Sequence, residues 1–89
     1  MTSKDNKYQD KILRTFSNRS DDDIWRKEKE DIIIKIINGY DWKLQYYNKE
    51  PINLNKDKIY FIGKNQAYRL IKGRTNLNVE IKELKNVHL

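Results

Sequence analysis

Residues 57–82 read DKIYFIGKNQAYRLIKGRTNLNVEIK, and this stretch carries the clearest structural signal in the chain. Apolar residues alternate with polar ones on either side of two short turn sequences, a period of two that is typical of β-strands with one buried face. The pattern predicts strands over 58–62, 67–72 and 76–82. Two tight turns would join these strands into an antiparallel meander.

The two turns imply a strand register whose consistency can be checked. A two-residue loop in the first turn places Phe61 opposite Tyr68, and a type II′ loop that begins at Gly73 places Leu70 opposite Leu77. Both pairings put the apolar residues on a single sheet face. The residues expected on that face are Ile59, Phe61, Tyr68, Leu70, Leu77, Val79 and Ile81.

The segment before Gly39 has the features of a helix. Ser20 is followed by three aspartates, a pattern typical of a helix N-terminus, because these side chains accept bonds from exposed N–H groups and complement the helix dipole. We therefore expect a main helix over about 21–38, ended by Asn38 and Gly39. Its buried stripe would comprise Trp25, Ile32, Ile33, Ile36 and Ile37.

Two further elements complete the expected fold. Tyr8, Ile12 and Phe16 recur at helical spacing and predict a short helix over 8–17. Residues 42–47 alternate in polarity and predict one more strand. We therefore expect an α+β fold, in which one main helix packs on one face of a three- to four-stranded antiparallel meander.

The chain is expected to form one small domain. Its 89 residues fit a single hydrophobic core. Residues 1–7 are polar and predict a disordered tail, which leaves 8–89 as the folded domain. The chain has no cysteine, no long apolar run and no apolar signal-peptide core, so we expect a cytoplasmic protein with no membrane partner.

Charge is the main functional signal in the sequence. Residues 41–89 hold ten basic and five acidic residues, whereas residues 1–40 hold nine and eight. The predicted outer sheet face combines several of these cations with a tyrosine, and lysines that contact phosphates beside aromatic rings that stack on bases are typical of nucleic-acid binders. The residues predicted to bind DNA or RNA are Lys58, Tyr60, Lys64, Arg69, Lys72, Arg74 and Lys82.

Two alternatives apply to the same sheet face. The first is purely structural, with residues 1–19 covering the face and lysines keeping the protein soluble. The second is a protein-binding regulator or inhibitor of a host complex that handles nucleic acid, encoded by a phage or plasmid. Its expected anchors are Tyr46, Tyr47, Tyr60, Ile62 and Ile71.

An exposed edge strand could also pair with a second copy of the chain, giving a homodimer. The abundance of Lys, Asn and Ile, all with AT-rich codons, indicates an AT-rich genome and is consistent with a mobile element. It also explains part of the basic charge without any ligand.

One short motif suggests an enzyme. The sequence VEIK at 79–82 is similar to the metal-binding strand of PD-(D/E)xK nucleases. The resemblance implies Asp57 as a partner carboxylate, Glu28 or Glu30 as a further ligand, and Lys82 at the attacking water. A metal-dependent nuclease is therefore a minor alternative. The main expectation is a non-catalytic protein without a metal or cofactor.

Overall fold

The structure is a computed structural model that describes residues 11–19 and 24–84, and every regular element among them is a β-strand. Seven strands form two antiparallel sheets. The strands are β1 (Lys11–Phe16), β2 (Ile32–Asn38), β3 (Lys43–Tyr46), β4 (Ile52–Asn53), β5 (Ile59–Ile62), β6 (Tyr68–Ile71) and β7 (Leu77–Glu83). The four-stranded sheet has the order β1-β7-β2-β5, and the three-stranded sheet has the order β4-β3-β6. The part of the chain that the structure describes has no helix that could cross a membrane.

The predicted α+β class is wrong, because the described residues contain no helix and parts of both predicted helices are strands. The main helix would have ended in residues 32–38, which instead form the central strand β2 between β5 and β7. Ile32, Ile34 and Ile36 are buried in alternation, and this period of two is hidden in the sequence because Ile33 and Ile37 occupy the outward positions. A run of β-branched residues favours a strand over a helix.

The short N-terminal helix is also wrong where the structure describes it. Residues 11–16 form the edge strand β1, which pairs with β7 from Lys11↔Lys82 to Phe16↔Leu77. Tyr8, the serine and aspartates at 20–23 and the predicted tail at 1–7 lie outside the described residues.

The predicted strands over 42–47, 58–62, 67–72 and 76–82 are confirmed as β3, β5, β6 and β7, with ends that differ by at most one residue. Their predicted pairing is wrong. Strand β5 pairs with β2, and β6 pairs with β3, so neither predicted hairpin forms. The turns cross from one sheet to the other instead of joining neighbouring strands.

This crossing reverses the orientation of β5. Ile59 and Phe61, which were predicted to be buried, are exposed, whereas Ile62 is fully buried. The inward residues of β6 and β7 are as predicted, because Tyr68, Leu70, Leu77, Val79 and Ile81 are all buried. A strand's alternation fixes which residues share a face, but only the pairing decides which of its two faces is covered.

The hydrophobic core lies between the two sheets. Side chains from both inner faces fill it, and the only buried indole, that of Trp42 among the described residues, donates its Nε1–H to the Thr75 carbonyl at 2.6 Å. This bond satisfies the polar atom of an otherwise apolar side chain. The core residues are Ile32, Ile34, Ile36, Trp42, Leu44, Leu54, Ile62, Tyr68, Leu70, Leu77, Val79 and Ile81.

Tyrosines close one side of the sandwich, where β5 lies beside β4. The Tyr60 hydroxyl donates to the Asn53 carbonyl at 3.1 Å and accepts from the Asn55 N–H at 2.9 Å. The Tyr46 hydroxyl donates to the carbonyl of Phe61. Burial, followed by the nearby Tyr60, raises the pKa of the Tyr46 phenol, which keeps the Tyr46 hydroxyl protonated as a hydrogen-bond donor.

Two crossing turns meet at one end of the sandwich. The Arg74 N–H donates to the Tyr40 carbonyl at 2.9 Å, and the Tyr40 N–H donates to the Thr75 hydroxyl at 3.1 Å. Gly39 does not end a helix as predicted but follows strand β2, and its φ of 146° is a backbone conformation that favours glycine. Gly73 lacks the positive φ of the predicted type II′ turn. It is needed because the two turns approach so closely.

We expect Gly73→Ala to destabilise the protein by about 3 kcal/mol, because overpacking a tight contact forces the backbone to move. A Cβ at this position would lie 2.0 Å from the Tyr40 oxygen and 2.6 Å from the Asp41 carbonyl carbon. Urea denaturation followed by Trp fluorescence measures the effect. Gly63→Ala is the matched control, since its Cβ would meet no atom closer than 3.6 Å. Equal stability of the two variants would contradict this account.

Candidate nucleic-acid interface

The seven residues predicted to bind nucleic acid do not share one face. Arg69 points outward from the three-stranded sheet, and Lys72 follows the same strand. Lys82 points outward from the four-stranded sheet, on the other side of the molecule. Lys58 and Lys64 are exposed in the segments that flank β5. The predicted grouping depended on β5, β6 and β7 being neighbours, which they are not.

Two of the seven side chains are committed to structural contacts. The hydroxyl of Tyr60 is bonded to the backbone between β4 and β5, and its ring is partly buried against the core. Arg74 forms an ion pair with Asp41 at the end where the crossing turns meet. Tyr60 therefore closes the sandwich, and its ring is poorly placed to stack on a base.

The outer face of the three-stranded sheet carries a group that the sequence did not reveal. The backbone of Arg26 pairs with Tyr68 through bonds of 2.7 and 3.0 Å, which adds a short extended segment beside β6. This pairing sets Trp25 next to Arg69. The Arg69 guanidinium carbon lies 4.9 Å from the centre of the Trp25 ring. We call Trp25, Tyr47 and Arg69 the aromatic–arginine cluster.

The two rings of the cluster meet edge to face. Their centroids are 5.6 Å apart with an interplanar angle of 75°, a favourable arrangement for aromatic quadrupoles. The Tyr47 N–H donates to the Ala67 carbonyl at 3.0 Å, which fixes the backbone that carries this ring. Both rings remain accessible, with Trp25 43% and Tyr47 60% exposed.

A second polar contact orients the arginine. Arg69 Nε donates to Gln45 Oε1 at 2.8 Å, and Gln45 Nε2 donates to the Lys49 carbonyl at 3.0 Å. Because both ends of the Gln45 amide are bonded, the guanidinium plane is held against the indole. A fixed guanidinium plane favours bidentate recognition of phosphate or a base edge.

The outward positions around the cluster are basic. Lys43 lies on this face opposite Ile71, and Lys27 falls on it by alternation from Trp25. Among the described residues of β3, β4, β6 and segment 25–27, no outward position carries a carboxylate. This face therefore joins two accessible rings to three cationic side chains.

Tyr68 anchors the segment that carries Trp25. Its buried hydroxyl donates to Glu28 Oε2 at 2.5 Å, and the backbone carbonyl of Glu28 accepts from the Asn65 N–H at 2.9 Å. Burial, and then the hydrogen bond to Glu28, raise the pKa of the Tyr68 phenol far above its ordinary value. Glu28 therefore holds this segment through both its side chain and its backbone. The position of Trp25 depends on these two hydrogen bonds.

We expect Tyr68→Phe to lower the free energy of unfolding by about 1–2 kcal/mol at pH 7, because Glu28 loses its donor. Above the ordinary tyrosine pKa of 10.0, the unfolded wild type releases the Tyr68 proton that the folded protein keeps. The free energy of unfolding of the wild type therefore falls with rising pH, and the difference between wild type and variant becomes smaller. Urea denaturation of both proteins at pH 7 and pH 11 measures this. A difference in the free energy of unfolding that grows with pH would contradict a raised pKa for Tyr68.

The geometry gives no support to the nuclease alternative. Glu80 lies in the middle of the four-stranded sheet and is paired with Lys11 at 3.6 Å, whereas Glu28 is bonded to Tyr68. Asp57 lies just before β5, where its backbone N–H donates to the Ile36 carbonyl of β2 at 2.8 Å. Within residues 11–19 and 24–84, no three His, Cys, Asp or Glu side chains come together as a metal site would require.

The sequence pattern predicts Arg69 as a binding residue but does not indicate Trp25 and Tyr47 as its partners. Trp25 was assigned to a helix that does not exist, and Tyr47 was considered only as a protein anchor. Alternation in β3 does place Lys43, Gln45 and Tyr47 on one face, which is the signal that could have found them. Comparison with known proteins adds no guide, because no family model, no curated protein and no solved structure matches this chain.

Proposed function

We propose that this protein binds single-stranded nucleic acid without catalysis, through the aromatic–arginine cluster and the lysines around it. The observation that carries the proposal is the convergence of Trp25, Tyr47 and Arg69 on one exposed sheet face. This surface differs from the predicted one, since Arg69 is the only residue of the original set that the structure places on it. A cytoplasmic location is part of the proposal.

Two complementary interactions support this mode of binding. Exposed rings stack on unpaired bases, and each such contact is worth about 1–3 kcal/mol. Cations on the same face neutralise phosphates and release counterions, which contributes affinity at low salt. A duplex hides the faces of its bases, so accessible rings on an open sheet favour a single strand. The net charge of +6 adds a general attraction for either DNA or RNA.

We expect Tyr47→Ala to weaken binding of a labelled single-stranded oligonucleotide by about tenfold, through loss of one stacking contact. Fluorescence anisotropy at fixed low salt measures the dissociation constant. Tyr40→Ala is the matched control, because Tyr40 is also a highly exposed tyrosine, at 64%, but lies in the β2–β3 turn. An equal loss in both variants, or none in either, would rule out the cluster as the binding surface.

Arg69→Lys separates geometry from charge. The ammonium keeps the positive charge but loses the planar contact with Trp25 and the Nε bond to Gln45. We expect weaker binding with an unchanged slope of log Kd against log salt, since the number of neutralised phosphates is the same. Arg74→Lys, at the far end of the sandwich, is expected to leave both quantities unchanged. Indistinguishable behaviour of the two variants would contradict a positioned role for Arg69.

A second candidate function is protein binding by the outer face of the four-stranded sheet. Ile59 and Phe61 point outward there and are 58% and 52% exposed, with Lys35 beside them on β2. Exposed aromatic and aliphatic side chains next to cations are common in protein interfaces. Of the anchors predicted from sequence, Ile62 is buried and cannot serve. A regulator or inhibitor of a host complex would bind its partner with little salt dependence and lose most affinity on Phe61→Ala.

A further inference from the structure

We propose that the chain forms a two-fold symmetric homodimer by antiparallel pairing of β1 with the β1 of a second copy, with Leu13 opposite its own counterpart. This inference does not depend on nucleic-acid binding. It rests on the state of the sheet edges, the exposure of β1 and the register that the side chains allow.

Strand β1 is the most open edge in the described part of the chain. It is six residues long and pairs with β7 on one side only. Among the described residues, the backbone hydrogen bonds of 11–16 run to β7 alone, and no other element covers its outer edge. A long unpaired edge is a template for another strand.

The other edges are protected. The outer edge of β5 receives the Tyr46 hydroxyl at the carbonyl of Phe61, and Tyr60 fills the space between β5 and β4. Strand β4 has only two residues, too few for a ladder. The edge beside β6 carries the short bridged segment at Arg26. Strand β1 is therefore the edge at which a whole second strand can pair.

The side chains of β1 favour a covered edge. Leu13 is 72% exposed, more than any other large apolar side chain that the structure describes, and Ile12 is also exposed. Edge strands that remain single often carry a proline, a bulge or an inward-pointing charge. Strand β1 has no proline and no bulge in its pairing with β7, and its one inward-pointing charge is Arg14, opposite the buried Val79. A second β1 would cover both the backbone and these side chains.

Symmetry and charge then select the register. A two-fold axis perpendicular to the sheet keeps outward residues opposite outward residues. The axis must therefore lie midway between the two copies of one residue. With Leu13 on the axis, Lys11 faces Thr15 and Ile12 faces Arg14, and no like charges oppose each other. An axis at Arg14 would oppose two arginines, and an axis at Ile12 would pair only residues 11–13 of the strand.

Single-cysteine cross-linking tests this register, and the chain has no cysteine of its own. Directly opposed residues in an antiparallel pair have Cα atoms about 4.5–5.5 Å apart, within the range that a disulfide requires. Under mild oxidation, Leu13→Cys should form covalent dimers rapidly. Lys11→Cys and Thr15→Cys should not dimerise alone but should cross-link when mixed.

Ile59→Cys is the control for random collision, since Ile59 is exposed on the same sheet face but at the opposite edge. Cross-linking of Leu13→Cys no faster than Ile59→Cys would overturn the proposal. Efficient self-linking of Lys11→Cys or Thr15→Cys would overturn the register.

Sedimentation equilibrium tests the dimer without cysteine. The wild type should associate in the micromolar range, and Leu13→Lys should weaken association at least about tenfold, because two ammonium groups would meet on the axis. Ile59→Lys is expected to leave it unchanged. A monomeric wild type across that range, or an equal effect of Ile59→Lys, would refute pairing through β1.

Discussion

Each sheet of this protein covers the inner face of the other, and the rest of the structure depends on this mutual burial. Ile36, Leu44, Ile62, Leu77 and Val79 are fully buried between the sheets, and they come from four different strands. The chain brings these strands together by crossing between sheets at four connections, those between β2 and β3, β4 and β5, β5 and β6, and β6 and β7. The crossings need close turns, which explains the tight contact at Gly73.

The strands of the C-terminal half could be predicted from sequence, but the way they associate could not. Alternation in 42–47 and 67–82 gives the strand positions and the buried residues because a half-buried strand exposes its period directly. Alternation says nothing about whether a short turn returns along the same sheet or crosses to the other. Both assumed hairpins failed for this reason, and Ile62 changed from a predicted surface residue to a core residue.

The N-terminal half failed for a different physical reason. Strand β2 is central, and isoleucines on both of its faces obscure the period of two. Charged residues before it, and a glycine after it, imitate the start and end of a helix. The β-branched character of the run was the better guide, since five isoleucines in six residues are poorly suited to a helix.

The candidate site depends on the pairing of β3 with β6, the same pairing that makes the predicted binding surface wrong. Gln45 and Arg69 are separated by 24 residues and become neighbours only because β3 pairs with β6. Trp25 joins them because a single bridge holds its segment beside β6. Basic charge could be read from the sequence, but the choice between a binding arginine and a structural one depends on its neighbours. Arg69 has a ring beneath it, whereas Arg74 has a carboxylate.

The pairing of β1 with β7 has a consequence for how the protein is made. The first and last described strands lie side by side, and β2 completes its ladder only when β7 is present. During translation, β1 and β2 therefore leave the ribosome without their principal partner and wait until residues 77–83 have emerged. The four-stranded sheet closes late, and contacts so distant along the chain make folding slow compared with a helical protein of this size.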